Sequence, residues 1–219
     1  MTRAQKQGII SAAVVLLLIL IDQIIKVYVK THFYLGEDIQ VTPWFHLIFV
    51  ENNGMAFGWQ FFGKLFLTAF RIIAMFAIIW YMSQRIRMGV RWSYLIVICL
   101  VLAGATGNII DCISYGEIFS PSGYNPFEPE SVAHVVPWGE GYGSVFQGLV
   151  VDMFQFPLFD FYWPQWMPVV GGRYFLFFSP IFNFADACIT CGILSLLFFF
   201  RKEFSNDPIL NRGSKESTD

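Results

Sequence analysis

Residues 9–21 read IISAAVVLLLILI, a run without a charged side chain, and the next five positions bring Asp22 and Lys26. Extended to about residues 8–28, this run is long enough to cross roughly 30 Å of hydrocarbon as a helix. No small-residue cleavage site follows it, so we interpret the run as a retained membrane helix and not as a secretory signal.

Three further apolar stretches follow the first one, at about residues 65–82, 92–113 and 179–200. The chain of 219 residues is 56% hydrophobic and 14% charged, where a soluble domain carries roughly 25% charged residues. Its 14 Lys and Arg nearly balance its 16 Asp and Glu, which argues against a nucleic-acid-binding surface. The sequence therefore predicts an all-α integral membrane protein with four transmembrane helices.

The distribution of Lys and Arg predicts the orientation of these helices, because cytoplasmic loops retain positive charge. Nine lie before the first span, between the second and third, or after the fourth, whereas only Lys30, Lys64 and Arg173 lie in the other two loops. We expect both termini, including the tail 201–219, in the cytoplasm, and the loops 29–64 and 114–178 outside. We expect residues 1–219 to form a single membrane-embedded domain.

The outer loops have distinct compositions. Residues 38–59 are rich in β-branched and aromatic residues around a turn signal at Asn52, Asn53 and Gly54, which predicts a small extracytoplasmic β hairpin or sheet. Residues 156–174 are aromatic with three prolines, which is typical of an interfacial loop. Residues 120–143 are rich in Gly, Pro and Ser, which favours a mobile loop.

Carboxylates, with further polar side chains beside them, lie in three of the four predicted spans, although a carboxylate at the centre of a membrane helix costs about 2.5 to 3.5 kcal/mol. With the predicted orientation, all of them lie near the outer ends of spans. They are Asp22, Lys26, Asn108, Asp111, Asn183 and Asp186. A further carboxylate, Asp152, lies in an apolar run of the second outer loop, and we expect it to fold back onto this cluster.

Two carboxylates held close together share a proton, so that one can activate water while the other protonates the leaving group. This chemistry hydrolyses peptide bonds, and by position alone any two of Asp111, Asp152 and Asp186 could supply it. The structural alternatives are an interfacial Asp22–Lys26 ion pair and hydrogen bonds that hold helices together. No His or Cys pattern predicts a metal or cofactor, since Cys188 and Cys191 lack a second pair.

Intramembrane acids also occur in ion pathways, so a small proton-coupled transporter or channel is the competing hypothesis. The acids of this chain cluster at one face and not at the midplane, and no internal repeat supports alternating access. A scaffold without enzymatic activity is the third alternative.

Five motifs, in order along the chain, resemble those of the lipoprotein signal peptidases, also called signal peptidase II. They are DQIIK at 22–26, NNGMAF at 52–57, GNIID at 107–111, VVDM at 150–153 and FNFAD at 182–186. The resemblance implies an aspartic endopeptidase that cleaves diacylglyceryl-modified prolipoproteins on the amino side of the lipidated cysteine. It also implies a bacterial inner-membrane location, sensitivity to globomycin and no cofactor, and we expect a monomer.

The resemblance also assigns residue roles. It implies that Asp152 and Asp186 form the catalytic dyad. The supporting or substrate-binding residues it implies are Asp22, Lys26, Asn52, Gly54, Asn108, Asp111 and Asn183. The chain departs from the family pattern at two points. Cys112 replaces the usual Arg after the third motif, with Arg173 as one candidate substitute. The stretch between Asp111 and Asp152 is also longer than in the family, because it contains the insert 120–143. The insert would be a lid, a partner surface or a solvated loop.

Overall fold

The structure, a computed structural model, describes residues 1–53 and 64–205. Most of the described chain is helical, as the hydropathy predicts. The helices are α1 (Arg3–His32), α2 (Lys64–Arg87), α3 (Trp92–Ile110), the single turn α4 (Gly116–Ile118), α5 (Phe184–Phe198) and the short α6 (Arg201–Ser205). A π-helical turn at Asp111–Tyr115 connects α3 to α4.

Three of the described helices are long and apolar enough to cross a membrane: α1, α2, and α3 together with its extension to Ile118. The fourth predicted span corresponds to α5, whose 15 residues make it shorter than the others. It begins at Phe184 and not at residue 179, because the preceding residues include Pro180 and pair with a strand through Phe182. The count of four spans therefore stays a prediction.

The expected β element is present and larger than predicted. Strands β1 (Asp38–Thr42) and β2 (Phe45–Asn52) form an antiparallel hairpin, and β3 (Val150–Gln155) pairs antiparallel with the other edge of β2. The hairpin turns at residues 43–44, where Pro43 favours a turn. Asn52, in the predicted turn signal, is instead the last residue of β2, and Gly54 lies outside the described residues.

The aromatic loop also contains a hairpin, formed by β4 (Phe159–Tyr162) and β5 (Tyr174–Phe177). The two ends of this loop are joined at Phe154 and Phe182. The backbone N–H of each donates to the carbonyl of the other, at 2.8 and 3.0 Å. All four residues of β4 are exposed, so both faces of this small sheet present aromatic side chains. The sequence identified this segment by composition alone, because its prolines obscured the strands.

The insert, for which we expected mobility, is tied to its own stem by backbone hydrogen bonds. The N–H of Ser120 donates to His134 at 3.0 Å, that of Val136 to Ile118 at 2.9 Å, and that of Tyr142 to Phe119 at 3.0 Å. These bonds give a Gly- and Pro-rich segment a defined path in which the described helical structure is one 3-10 turn at Pro129–Ser131.

The chain divides into two compact units. The first comprises Met1–Gln23, Leu65–Ile110 and the chain from Phe184 onward. In this unit α3 packs closely on α5. The glycines Gly104 and Gly192 allow this approach, because a Cβ at either position would overlap the facing helix.

The second unit comprises Ile24–Lys64 and Asp111–Asn183. Its hydrophobic core joins the end of α1, the sheet and the π-helical turn. The core side chains are Val29, Phe33, Phe49, Tyr115, Phe119, Val151 and Met153.

Candidate active site

Asp152 is a buried carboxylate held by two amide side chains. It lies in the middle of β3 and is 3% exposed. Asn183 Nδ2 donates to its Oδ1 at 2.6 Å, and Asn52 Nδ2, from the end of β2, donates to its Oδ2. The apolar neighbours of β3 alone would make an Asp costly, and these two donors offset that cost.

Asp186 lies in the first turn of α5, and Asn108 of α3 donates an amide hydrogen to its Oδ1 at 2.8 Å. A carboxylate at a helix N-terminus is favoured by the helix dipole. The packing of α3 on α5 brings the two side chains together, although they are 78 residues apart in the sequence. The sequence predicts only that both residues lie near the same membrane face, and the structure brings these two side chains into contact.

Asp22 holds the N-terminus of the same helix. Its Oδ1 accepts a hydrogen bond from the backbone N–H of Ala185 at 2.9 Å, which satisfies a first-turn donor without an intrahelical partner. The approach depends on Gly107, because a Cβ there would overlap the Asp22 carboxylate. Asp22 thus fixes the turn of α5 that carries Asp186.

Lys26 and Asp111 form a buried ion pair at 2.8 Å, and both side chains are fully buried. Lys26 is therefore buried, and does not reach an interface as a snorkelling lysine would. Asp111 is the first residue of the π-helical turn, a geometry often found at functional sites. An ion pair of this kind is costly to break, because the remaining charge would be left buried.

The remaining predictions have mixed outcomes. Gly54 lies outside the described residues. Cys112, at the position where the resemblance leads us to expect an arginine, is fully buried. Arg173 is exposed directly before β5, so it is a poor substitute for a side chain at the Cys112 position. Within residues 1–53 and 64–205, no group of three His, Cys, Asp or Glu side chains could hold a metal ion.

The sequence does not reveal a buried ion pair that Lys30 and Glu51 form in the second unit. Lys30 was counted only as a loop charge. Its position four residues after Lys26 places both on one face of α1, and this spacing was the signal that could have identified it.

A family model and two lipoprotein signal peptidases are similar to this chain. The family model described as "Signal peptidase (SPase) II" matches residues 14–201. The chain belongs to the signal peptidase II family. A lipoprotein signal peptidase of Porphyromonas gingivalis is 45% identical over 200 residues, covering 91% of this chain and 86% of that protein. One of Amoebophilus asiaticus is 32% identical over 217 residues, covering 94% and 83%.

Two solved bacterial membrane enzyme structures share the fold of this signal peptidase II family member. The first has a TM-score of 0.59 at 22% identity and covers 90% of each chain. The second has a TM-score of 0.54 at 21% identity, covering 87% of this chain and 91% of the other. The family is a protease family, so the resemblance drawn from the five motifs is confirmed and the transporter alternative finds no support.

Proposed function

We propose that this chain is an aspartic endopeptidase that removes the signal peptide from diacylglyceryl-modified prolipoproteins, cleaving on the amino side of the lipidated cysteine. The observation that carries the proposal is the family match over residues 14–201. The relatives named lipoprotein signal peptidase support the same substrate class.

Asp152 and Asp186 are the catalytic carboxylates in this proposal. Each accepts a hydrogen bond from a buried asparagine amide, from Asn183 at 2.6 Å and from Asn108 at 2.8 Å. Asn183, which holds Asp152, precedes Asp186 by three residues in the same motif. Each carboxylate oxygen has two lone pairs, so an oxygen that accepts one amide hydrogen can still bind or release a proton, which is the requirement for an acid–base pair.

The reaction divides between the two groups. The ionised carboxylate removes a proton from a water molecule, whose oxygen attacks the scissile carbonyl carbon. The protonated carboxyl donates its proton to the nitrogen of the leaving cysteine, and the carbon–nitrogen bond breaks. The pair then returns to one shared proton, so its titration belongs to both groups together.

The supporting residues hold these two carboxylates and the elements that carry them. Asn52 and Asn183 orient Asp152, and Asn108 orients Asp186. Three further residues fix the local backbone, namely Asp22 at the α5 N-terminus and the buried pair Lys26 and Asp111. Gly54 belongs to the same proposal on sequence grounds alone.

The proposal includes a membrane arrangement. The whole chain acts as one peptidase domain with four spans in the bacterial inner membrane, with both termini cytoplasmic and the catalytic residues at the outer face. The asymmetry of Lys and Arg supports this orientation. The β4–β5 hairpin lies at the membrane–water interface, since its exposed Trp and Tyr side chains are the types enriched there.

The proposal extends to an inhibitor, which the family resemblance implies, and separately to the oligomeric state. Globomycin binds this chain and blocks cleavage, and the chain acts as a monomer. Both statements can be checked with the purified protein, by inhibition of cleavage and by its mass in detergent.

The experiment that tests the function is cleavage of a lipidated prolipoprotein by the purified chain in detergent. Asp152→Asn and Asp186→Asn should each remove nearly the whole rate, and the double variant should lose little more, because residues that act as a unit are not additive. Asp38→Asn is the matched control, since this carboxylate is about half exposed and pairs only with His46 among its described contacts. A folded Asp152→Asn or Asp186→Asn protein that cleaves at the wild-type rate would remove that residue from the dyad.

A further inference from the structure

A second buried ion pair lies outside the family motifs and outside the proposed chemistry. Lys30, near the end of α1, forms an ion pair with Glu51 of β2. The Lys30 side chain is 0% exposed and that of Glu51 is 6% exposed. Neither residue belongs to the five motifs that carry the family resemblance.

The insert after α4 completes the surroundings of this pair. Ser122 Oγ lies 3.2 Å from Lys30 Nζ and 3.4 Å from a carboxylate oxygen of Glu51. The Lys30 ammonium also faces the Phe119 ring at 5.4 Å and the Tyr142 ring at 4.9 Å, both to the ring centroid. The ion pair is therefore enclosed by Ser122 and Tyr142 of the insert and by Phe119, the residue just before the insert.

The insert is itself fixed at this point. The N–H of Leu149, just before β3, donates to the Tyr142 hydroxyl at 2.6 Å. Burial raises the pKa of Tyr142 above its ordinary value, so the hydroxyl stays neutral beside Glu51. The same tyrosine thus contacts the ion pair through its ring and the start of β3 through its oxygen.

Stability alone does not account for such a pair. Removing two charges from water costs several kcal/mol per ion, and well-packed apolar replacements of buried pairs are often as stable. What an ion pair adds is a fixed geometry between the two elements that carry it. Here those elements are the end of α1 and the last residues of β2.

The end of β2 supplies one of the two amide donors that hold Asp152. Glu51 directly precedes Asn52, whose amide donates to Asp152. The pairing of β2 with β3 is irregular between Leu47 and Val50, so the regular ladder that includes Asn52 is short. Glu51, which lies in this short ladder, is the residue that the ion pair connects to α1.

We infer that the Lys30–Glu51 pair, closed by Ser122 of the insert, positions Asn52 and through it the carboxylate of Asp152. The three are positioning residues and touch no substrate. The inference rests on the proposed function, and it assigns to the 120–143 insert a role in holding the active-site strand.

The test measures cleavage of a lipidated prolipoprotein and thermal unfolding of the full-length chain in one detergent. Lys30→Met should lower kcat by about 10- to 100-fold, as small misplacements of catalytic groups do. KM should change by less than about two-fold, because substrate contacts remain. In an Asn52→Ala background, Lys30→Met should add little further loss, since both changes act through the same hydrogen bond.

Ser122→Ala provides a milder variant, and its result decides the question if Lys30→Met does not fold. It should lower kcat by about three- to ten-fold, the value of one hydrogen bond, and this loss should also disappear in the Asn52→Ala background. Ser120→Ala is the matched control, because that serine bonds only His134 within the insert and should leave kcat unchanged.

The outcomes separate the two proposals. If wild type and Ser120→Ala both fail to cleave, the proposed function is wrong. If they cleave, and the losses from Lys30→Met or Ser122→Ala multiply fully with that of Asn52→Ala, the positioning role is overturned. Losses in kcat that simply follow the fraction of unfolded protein would overturn it as well.

Discussion

Replacement of Gly107 by alanine tests how the helix that carries Asp186 is held. A Cβ at this position of α3 would overlap the carboxylate of Asp22, which accepts the N–H of Ala185 at 2.9 Å. Asp22 must then move, and the first turn of α5 loses its partner. The change thus acts on α5 without altering any residue of that helix.

The expected magnitude follows from three terms. Overpacking a well-packed site costs about 1 to 3 kcal/mol. Loss of a hydrogen bond to a charged group costs about 1.5 to 3 kcal/mol. Alanine gains about 1 kcal/mol over glycine in a helix interior, which offsets part of this. We expect a net loss of about 1.5 to 5 kcal/mol in the free energy of unfolding, with lower activity.

Gly8→Ala is the matched control, because it is also a helical glycine but a Cβ there meets nothing within 4 Å. It should leave the melting temperature in detergent unchanged or slightly raised, whereas Gly107→Ala should lower it by several degrees. Adding Asp22→Ala to Gly107→Ala removes the overlap, so the double variant should be no less stable than Asp22→Ala alone. Equal melting temperatures and cleavage rates for Gly107→Ala and Gly8→Ala would refute the reasoning.

Three further predictions concern other parts of the chain. Lys26→Met should destabilise the protein by about 3 to 5 kcal/mol, because it leaves Asp111 buried without its ion-pair partner; an unchanged thermal melt would contradict this. Trp166 is 80% exposed and lies in the loop that connects β4 to β5, so we expect it to contact lipid. In nanodiscs with brominated lipid, Trp166→Phe should therefore reduce the quenching of tryptophan fluorescence. Trp138→Phe, at a position 63% exposed in the polar insert, should not, and equal effects would remove the hairpin from the interface. Cys188→Ser should keep cleavage largely intact, since this thiol is a small buried side chain; abolished cleavage would require a thiol mechanism.

Hydropathy and short motifs were sufficient for the helices and the family. The apolar run before Asp22 and its equivalents in α2 and α3 are local properties, so they can be seen without knowing what packs against them. The β1–β2 hairpin was predictable for the same reason. The sequence placed its turn signal at Asn52, Asn53 and Gly54, whereas the strands are joined at Pro43. The motif around Asp186 likewise needs only neighbouring residues.

Tertiary structure decided which polar groups became partners. Lys26 pairs with Asp111, and Lys30 pairs with Glu51, although the two lysines are equivalent by helical spacing. The third strand, β3, pairs with β2 although it lies far away in the sequence. Asn52 and Asp152, which are in contact, are 100 positions apart. No local pattern records such a choice, because the free energy of a buried charge depends on which distant segment supplies its counter-charge or hydrogen bond.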